Sequence, residues 1–411
     1  MFSPPHVDPD LIVDFNVYDA SFVDDLEGHT RQLPPVSYTL ANDGHWIISN
    51  FELIMNVLRD PGTFATWPAS IPTAFGEGRG RLVPLEYDPP EHTAYRQILL
   101  PHFSPGRIRQ LEAQIRELAN QLLDGFTHQG SCDFMHSFAR PFPARMFLQL
   151  MGWPQDRMED FCGWVDGYRH GIGSDDPHTK DVRARSVAAA YDYFRQFVES
   201  RRQNPLDDDD ITTALVKAAL PDGRPLSDSE ILDYIFLLLI AGLHTVETAL
   251  AFGVIHFARN PEHRARLIAG PGLLGPTVDE LLRWEPPAWA PSRVVTKETS
   301  VAGVRMLPGD KVLLPSPTSN RDPSVFQDGD AFDPARTRNP HLSFGGGPHR
   351  CIGMHLARLE LQIAFEVLHN RLPDYQLDPA RPPVQQIAQV RSFHSLHILF
   401  TPGVSATGVP A

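Results

Sequence analysis

Through most of this chain apolar residues recur at spacings of three and four, and they alternate with polar ones only in short runs, so helices predominate and strands are brief. The first strand signal, Tyr38-Thr39-Leu40 and Trp46-Ile47-Ile48 around Asn42-Asp43-Gly44, predicts a hairpin. Asn50 then opens a helix that ends near Asp60-Pro61-Gly62. Residues 101–202 keep a helical period, with breaks at Gly130, around Gly152-Trp153-Pro154 and across Gly171-Ile172-Gly173-Ser174. The longest helical pattern covers about 227–260, with Ser227 and Glu230 spaced as a capping box and Pro261 as its stop. Its most apolar stretch, 234–243, lies between Asp233 and His244 and is too short to span a bilayer, so a core helix is expected. Strand patterns follow at Val294-Val295, 304–306, 311–314 and 396–400. No repeat divides the chain, which predicts one domain over 1–411 with an ordered core of roughly 10–403 and a loose tail from Val404. The class expected is mainly α with small β-sheets, an α+β arrangement.

Composition narrows the partners. The chain has 411 residues, 42% apolar and 21% charged, which suits a soluble globular protein with a large core. Its formal charge of -14 argues against nucleic acid as the main partner. Three cysteines, Cys132, Cys162 and Cys351, cannot build a disulfide framework and suit a reducing cytoplasm. The first ten residues have neither the positive charge nor the apolar run of a signal peptide or membrane anchor, so a cytoplasmic protein without an anchor is expected.

The candidate chemistry centres on Phe344-Gly345-Gly346-Gly347-Pro348-His349-Arg350-Cys351-Ile352-Gly353. Consecutive glycines let a loop turn tightly and lie against a flat ligand. They deliver Cys351 just ahead of a helical pattern that begins at Met354, where backbone N–H groups stabilise a thiolate. Either feature alone reads as a turn or a small buried hydrophobe; together they point to a metal ligand. Upstream, Ala241-Gly242-Leu243-His244-Thr245 places small residues on an otherwise bulky helix. Ordinary helix packing explains that segment equally well, with Thr245 bonding back to a carbonyl. Glu280 and Arg283 stand at i and i+3, and Thr277 with Glu280 can form a simple capping box.

The cysteine loop resembles the haem-thiolate loop of the cytochrome P450 family. The order Ala-Gly-x-x-Thr, Glu-x-x-Arg, Phe-Asp-Pro-Ala-Arg at 332–336 and then the loop is similar to that family from about Asp88 to Phe400. The resemblance implies a single-domain P450 fold of the soluble bacterial type, with Cys351 as metal ligand to haem b (iron protoporphyrin IX). It implies propionate contacts from His92, Arg96, Arg293 and His349, and cofactor contacts from Phe344, Ala241 and Gly242. Glu280, Arg283 and Arg336 take a folding role beneath the loop. Thr245 organises protons, but His244 stands where the family has Asp or Glu; it either relays protons or points away and leaves the task to Thr245 and water. Glu247-Thr248 is a second acid-Thr pair without the preceding Ala-Gly.

By family position the substrate pocket includes Trp67, Phe75, Leu238, Trp289, Val294 and Phe393, which favours a small hydrophobic substrate, with terpenoids as one class. The implied reaction inserts one oxygen atom of O2 into that substrate. Electrons come from a separate ferredoxin or flavodoxin with an NAD(P)H-dependent reductase, and Arg107, Arg109, Arg350 and Arg358 form either a docking patch or scattered solvated charges. Two alternatives remain at this stage: a peroxide-dependent or non-oxidative haem-thiolate enzyme, and a non-catalytic protein that carries an apolar ligand.

Overall fold

The hairpin forms as its turn residues dictate. Strand β1 (Val36–Thr39) pairs antiparallel with β2 (His45–Ile48), and Asn42, Asp43 and Gly44 all take positive φ between them. Asn50 caps α1 (Phe51–Arg59) by accepting the Leu53 N–H. A computed structural model, describing residues 6–16, 26–72, 79–171, 176–204, 210–288, 290–386 and 390–403, shows how the rest assembles. After β3 (Phe64–Ala65) come α2 (Glu91–Leu99), α3 (Pro141–Met151), α4 (Met158–Arg169) and α5 (Pro177–Gln203). Gly152 ends α3 in the left-handed region. Of the break expected across 171–174, only Gly171 lies among the described residues.

The long pattern over 227–260 is two helices rather than one. The Ser227/Glu230 capping box opens α6 (Asp228–Gly242), the chain bends at Leu243-His244, and α7 (Thr245–Arg259) continues to Asn260. Thr245 donates its hydroxyl to the Ala241 carbonyl at 3.3 Å, and such back-bonding bends helices. The longest uninterrupted helix among the described residues is therefore α5, with 27 residues. Together α6 and α7 are long and apolar enough to cross a membrane, yet 78% of their apolar window is buried inside the protein, which makes them core helices.

Next follow α8 (Leu274–Trp284), β4 (Ser292–Val295), β5 (Lys311–Leu313), α9 (Met354–Arg371) and β6 (Ser392–Ser395). One sheet has the order β1-β2-β5-β4-β3, with only β2 and β5 parallel. A three-stranded sheet contains the expected His397–Leu399 strand, and Thr299–Val301 pairs with Val304–Met306. The main core packs residues such as Leu148, Phe161, Leu239, Leu250 and Phe365 from α3, α4, α6, α7 and α9. A second cluster, including Trp46, Ile54, Leu58 and Val312, joins the sheet to α1.

Candidate functional site

The cysteine loop is shaped from two sides. Cys351 N–H donates to Phe344 O at 2.8 Å, and Gly345 N–H donates to Leu342 O at 2.8 Å. Gly347 has φ +64°, and a Cβ there would stand 2.1 Å from Leu58 O on α1, so only glycine fits. Cys351 follows, ahead of α9, with open surface on its side chain. Burial pushes its pKa up, while the Gly353 N–H and then the charges of Arg96, Arg358 and Arg350 act in the opposite direction. Cys132 and Cys162 are buried thiols, each pushed up to about 12 by burial first, and are therefore poor nucleophiles and ligands.

Behind the loop lies a fully buried ion pair. Arg283 donates to both Glu280 oxygens at 2.8 and 2.7 Å, and both side chains have no exposed surface. Arg283 also donates to the carbonyls of Asn320, Gly329 and Ala331, while Glu280 accepts from Asp333 N–H and Asn339. Arg336 stands 3.5 Å from Glu280. Asn320 carries this network to the loop: its Oδ1 accepts Leu342 N–H at 2.7 Å and its Nδ2 donates to Ser343 at 2.9 Å. Nothing in the local pattern singles Asn320 out, because its partners lie 22 and 23 residues away.

Basic side chains gather at a second edge. The His92 and His349 rings meet tilted at 45° with centroids 4.1 Å apart, and His349 Nε2 is 3.3 Å from Asp88. Asp88 is itself held by the Thr66 N–H and hydroxyl. Both histidines leave a buried Nδ1 without a hydrogen-bond partner. Burial brings His92 down to about 4, with His349 and Arg96 charges adding to the effect. Buried Arg293 is lowered to about 10 by the same cause, with Asp88 opposing, and its guanidinium donates to its neighbour Ser292 O. Arg96 donates to Arg350 O, beside Cys351. Buried Arg293 beside the Asp88 anion, and unpartnered imidazole nitrogens, fit a ligand that brings carboxylates. Asp88 was visible only as part of the Asp-Pro-Pro-Glu-His run, without a role.

At the helix break Ala241 is exposed within the core helix pair, and Thr245 is half-buried with its hydroxyl on Ala241 O. Gly242 serves packing rather than an open face, since a Cβ there would lie 2.5 Å from the Phe147 ring on α3. His244 reaches from the break to α4: its Nε2 is 2.8 Å from Asp166 Oδ1. Asp166 also meets Arg140 at 2.5 Å. Burial acts to raise the Asp166 carboxyl, but the His244 hydrogen bond and charge, then Arg140, outweigh it and hold it well below the usual carboxylate range. The rival Glu247-Thr248 pair is committed elsewhere. Thr248 donates to Arg391 O at 2.6 Å, and burial pushes the Glu247 carboxyl up.

Of the apolar pocket candidates, Leu238 shares a face of α6 with Ala241, and Val294 lies on β4. Phe393 on β6 packs edge-on against Phe252 of α7 at 5.0 Å, and Trp67 is half-buried. Phe75 and Trp289 lie outside the described residues. Arg358 pairs with Asp279 at 2.6 Å and covers Phe344, so it is not a free surface charge, whereas Arg109 and Arg350 are exposed.

An exposed thiol on a tight glycine loop, basic side chains gathered at one edge and a bent core helix fit the class of proteins that hold haem through a cysteine. Three comparisons give this class its family. The cytochrome P450 family model matches residues 175–269 and 273–384. Probable cytochrome P450 127A1 of Sinorhizobium fredii is 36% identical over 359 residues, 85% of this chain and 83% of that protein. Mycinamicin IV hydroxylase/epoxidase of Micromonospora griseorubida is 34% identical over 358 residues, 85% and 88% of the two chains. The crystal structure of CYP101J2 matches with a TM-score of 0.86 at 27% identity, over 98% of this chain and 100% of that one. The chain belongs to the cytochrome P450 family, as a bacterial-type member with the P450 fold. It is a haem-dependent P450 monooxygenase, which sets aside the non-catalytic carrier.

Proposed function

We propose that Cys351 is the proximal thiolate of haem b, and that the chain, as one domain, inserts an oxygen atom of O2 into a compact hydrophobic substrate. The observation that carries this reading is the exposed Cys351 thiol at the end of the glycine loop, with Arg96 bonded next to it and buried His92 and Arg293 gathered with half-buried His349 around Asp88. Those four basic groups hold the propionates, Asp88 orients His349, and Phe344 and Ala241 lie against the ring, with Gly242 setting the approach of α3. Bound haem supplies dioxygen binding and reductive O–O cleavage, with the thiolate favouring cleavage.

The chain supplies positioning and protons. Thr245 keeps its hydroxyl hydrogen on Ala241 O, which leaves its oxygen lone pairs to accept a proton-bearing partner. His244 takes the place of an acid one residue before it. Trp67, Leu238, Val294 and Phe393, with Phe75 and Trp289, shape an apolar pocket for which terpenoids are the first substrates to try. Electrons come in the cytoplasm from a ferredoxin or flavodoxin and its NAD(P)H-dependent reductase, docked near Arg107, Arg109 and Arg350.

The test is turnover of a terpenoid panel with a surrogate ferredoxin and reductase under labelled dioxygen. One labelled oxygen atom in the product, dependent on NAD(P)H, is expected. His244 in place of an acid favours one rival, a peroxide-dependent or non-oxidative enzyme; product formed with peroxide alone and not with reductase and O2 would establish it instead.

A further inference from the structure

The polar groups around the helix break form one cluster drawn from four segments. His244, 2% exposed, comes from the break itself. Asp166, Cys162 and Arg169 come from α4, Arg140 from the residue before α3, and Glu247 from α7. Within it Asp166 is the member with the most access to water, its side chain 46% exposed, and it bonds His244 with one oxygen and Arg140 with the other. Arg169 is spent on Val390 O, and Glu247 is buried with Oε2 unpartnered.

This arrangement fixes the chemistry of the ring. An anionic Asp166 oxygen only accepts, so His244 Nε2 carries hydrogen in both charge states of the imidazole. Nδ1, buried and without a hydrogen-bond partner, is then the one ring atom that gains and loses a proton. The segment that lacks an acid at position 244 thus borrows one from a helix 78 residues earlier in the chain.

We propose that Asp166 is a positioning residue for proton delivery, holding His244 with Nε2 protonated so that Nδ1 exchanges the proton used at the Thr245 face. The proposal rests on the reading of Thr245 and His244 as proton-handling groups. In the step, His244 gives its Nδ1 proton to a water or hydroxyl on that face and becomes the neutral ring. A proton from water restores Nδ1, and Asp166 ends unchanged.

Two readouts on the haem-loaded protein test it. In carbon monoxide-bound reduced protein with nitrogen-15 histidine, the His244 signals, assigned by their loss in His244→Ala, should show a protonated Nε2 and a bare Nδ1 at alkaline pH. Asp166→Asn should abolish that bias and Asp166→Glu should restore most of it. With a surrogate ferredoxin and reductase, Asp166→Asn should raise peroxide released per NADH oxidised by roughly tenfold, below the 10²–10⁴ that a proton-transferring group itself contributes. His244→Ala should raise it further, and the double variant should be no worse than His244→Ala. If Asp166→Asn leaves both readouts at wild-type values while His244→Ala raises peroxide, the proposal fails and the His244 reading stands. If His244→Ala itself leaves peroxide unchanged, that reading fails and the proposal with it.

Discussion

Beneath the cysteine loop Glu280 and Arg283 are fully buried and bonded to each other through both oxygens, with further partners from six other residues. At the helix break His244 has one partner, a carboxylate that is half in solvent. Breaking a buried pair leaves an uncompensated charge in a low dielectric, whereas a half-exposed pair is screened by water. Loss of a partner should therefore cost folding free energy on the cysteine side, whereas the break, where proton handling is proposed, can be altered at little cost to stability. The same interaction type serves opposite ends because burial differs.

The largest effect should come from Glu280→Ala, which strands Arg283 and should cost about 3–5 kcal/mol of stability, measured by urea unfolding of the haem-loaded protein. A loss under about 1 kcal/mol, the range of an exposed pair, would erase the contrast.

Acid should act on the same side. His369 on α9 is buried and lowered to about 3, by burial first and then by the Arg264 charge. Its folded pKa lies below its unfolded one of about 6.5, so the unfolded chain binds the proton more readily. Stability is then complete above pH 6.5 and falls with acidification towards about pH 3, by up to about 1.4 kcal/mol per pH unit from this residue. Between pH 6.5 and 5 the unfolding midpoint should drop in wild type and drop less in His369→Gln; equal slopes would show that His369 does not drive the acid sensitivity.

A smaller loss is expected from Gly347→Ala, which forces a Cβ against Leu58 O at a positive φ and should cost on the order of 1–3 kcal/mol with weaker haem retention. Haem transfer to apomyoglobin measures the retention, and wild-type kinetics would show that the loop tolerates the side chain.

The smallest stability effect belongs to Asp166→Asn, under about 1 kcal/mol, because water screens the pair. A loss as large as that of Glu280→Ala would make the break a second folding centre.

The difference between the two sides also explains what the residues disclosed in advance. The cysteine loop was legible because ten adjacent positions carry it, and the Asn42 hairpin because its turn needs residues that tolerate positive φ. Glu280 and Arg283 were recognisable by spacing, but Asn320, which connects them to Ser343, was not, since its bonds are tertiary. The pairing of His244 with Asp166 was equally hidden; the sequence shows an acid missing from one helix and gives no sign of which helix supplies it. The bend at Leu243-His244 has no proline to mark it, so a helical period ran through it. Thr299–Val301 and Ser392–Ser395 were missed because three or four residues are too few to show a period of two.

Thiolate ligation by Cys351 is read from the reduced protein under carbon monoxide. Wild type should show the long-wavelength Soret band of a thiolate-ligated carbonyl, and Cys351→Ala should lose it with the helical circular dichroism intact. A haem-loaded wild type without that band, or a Cys351→Ala protein that keeps it, would rule out Cys351 as the thiolate ligand.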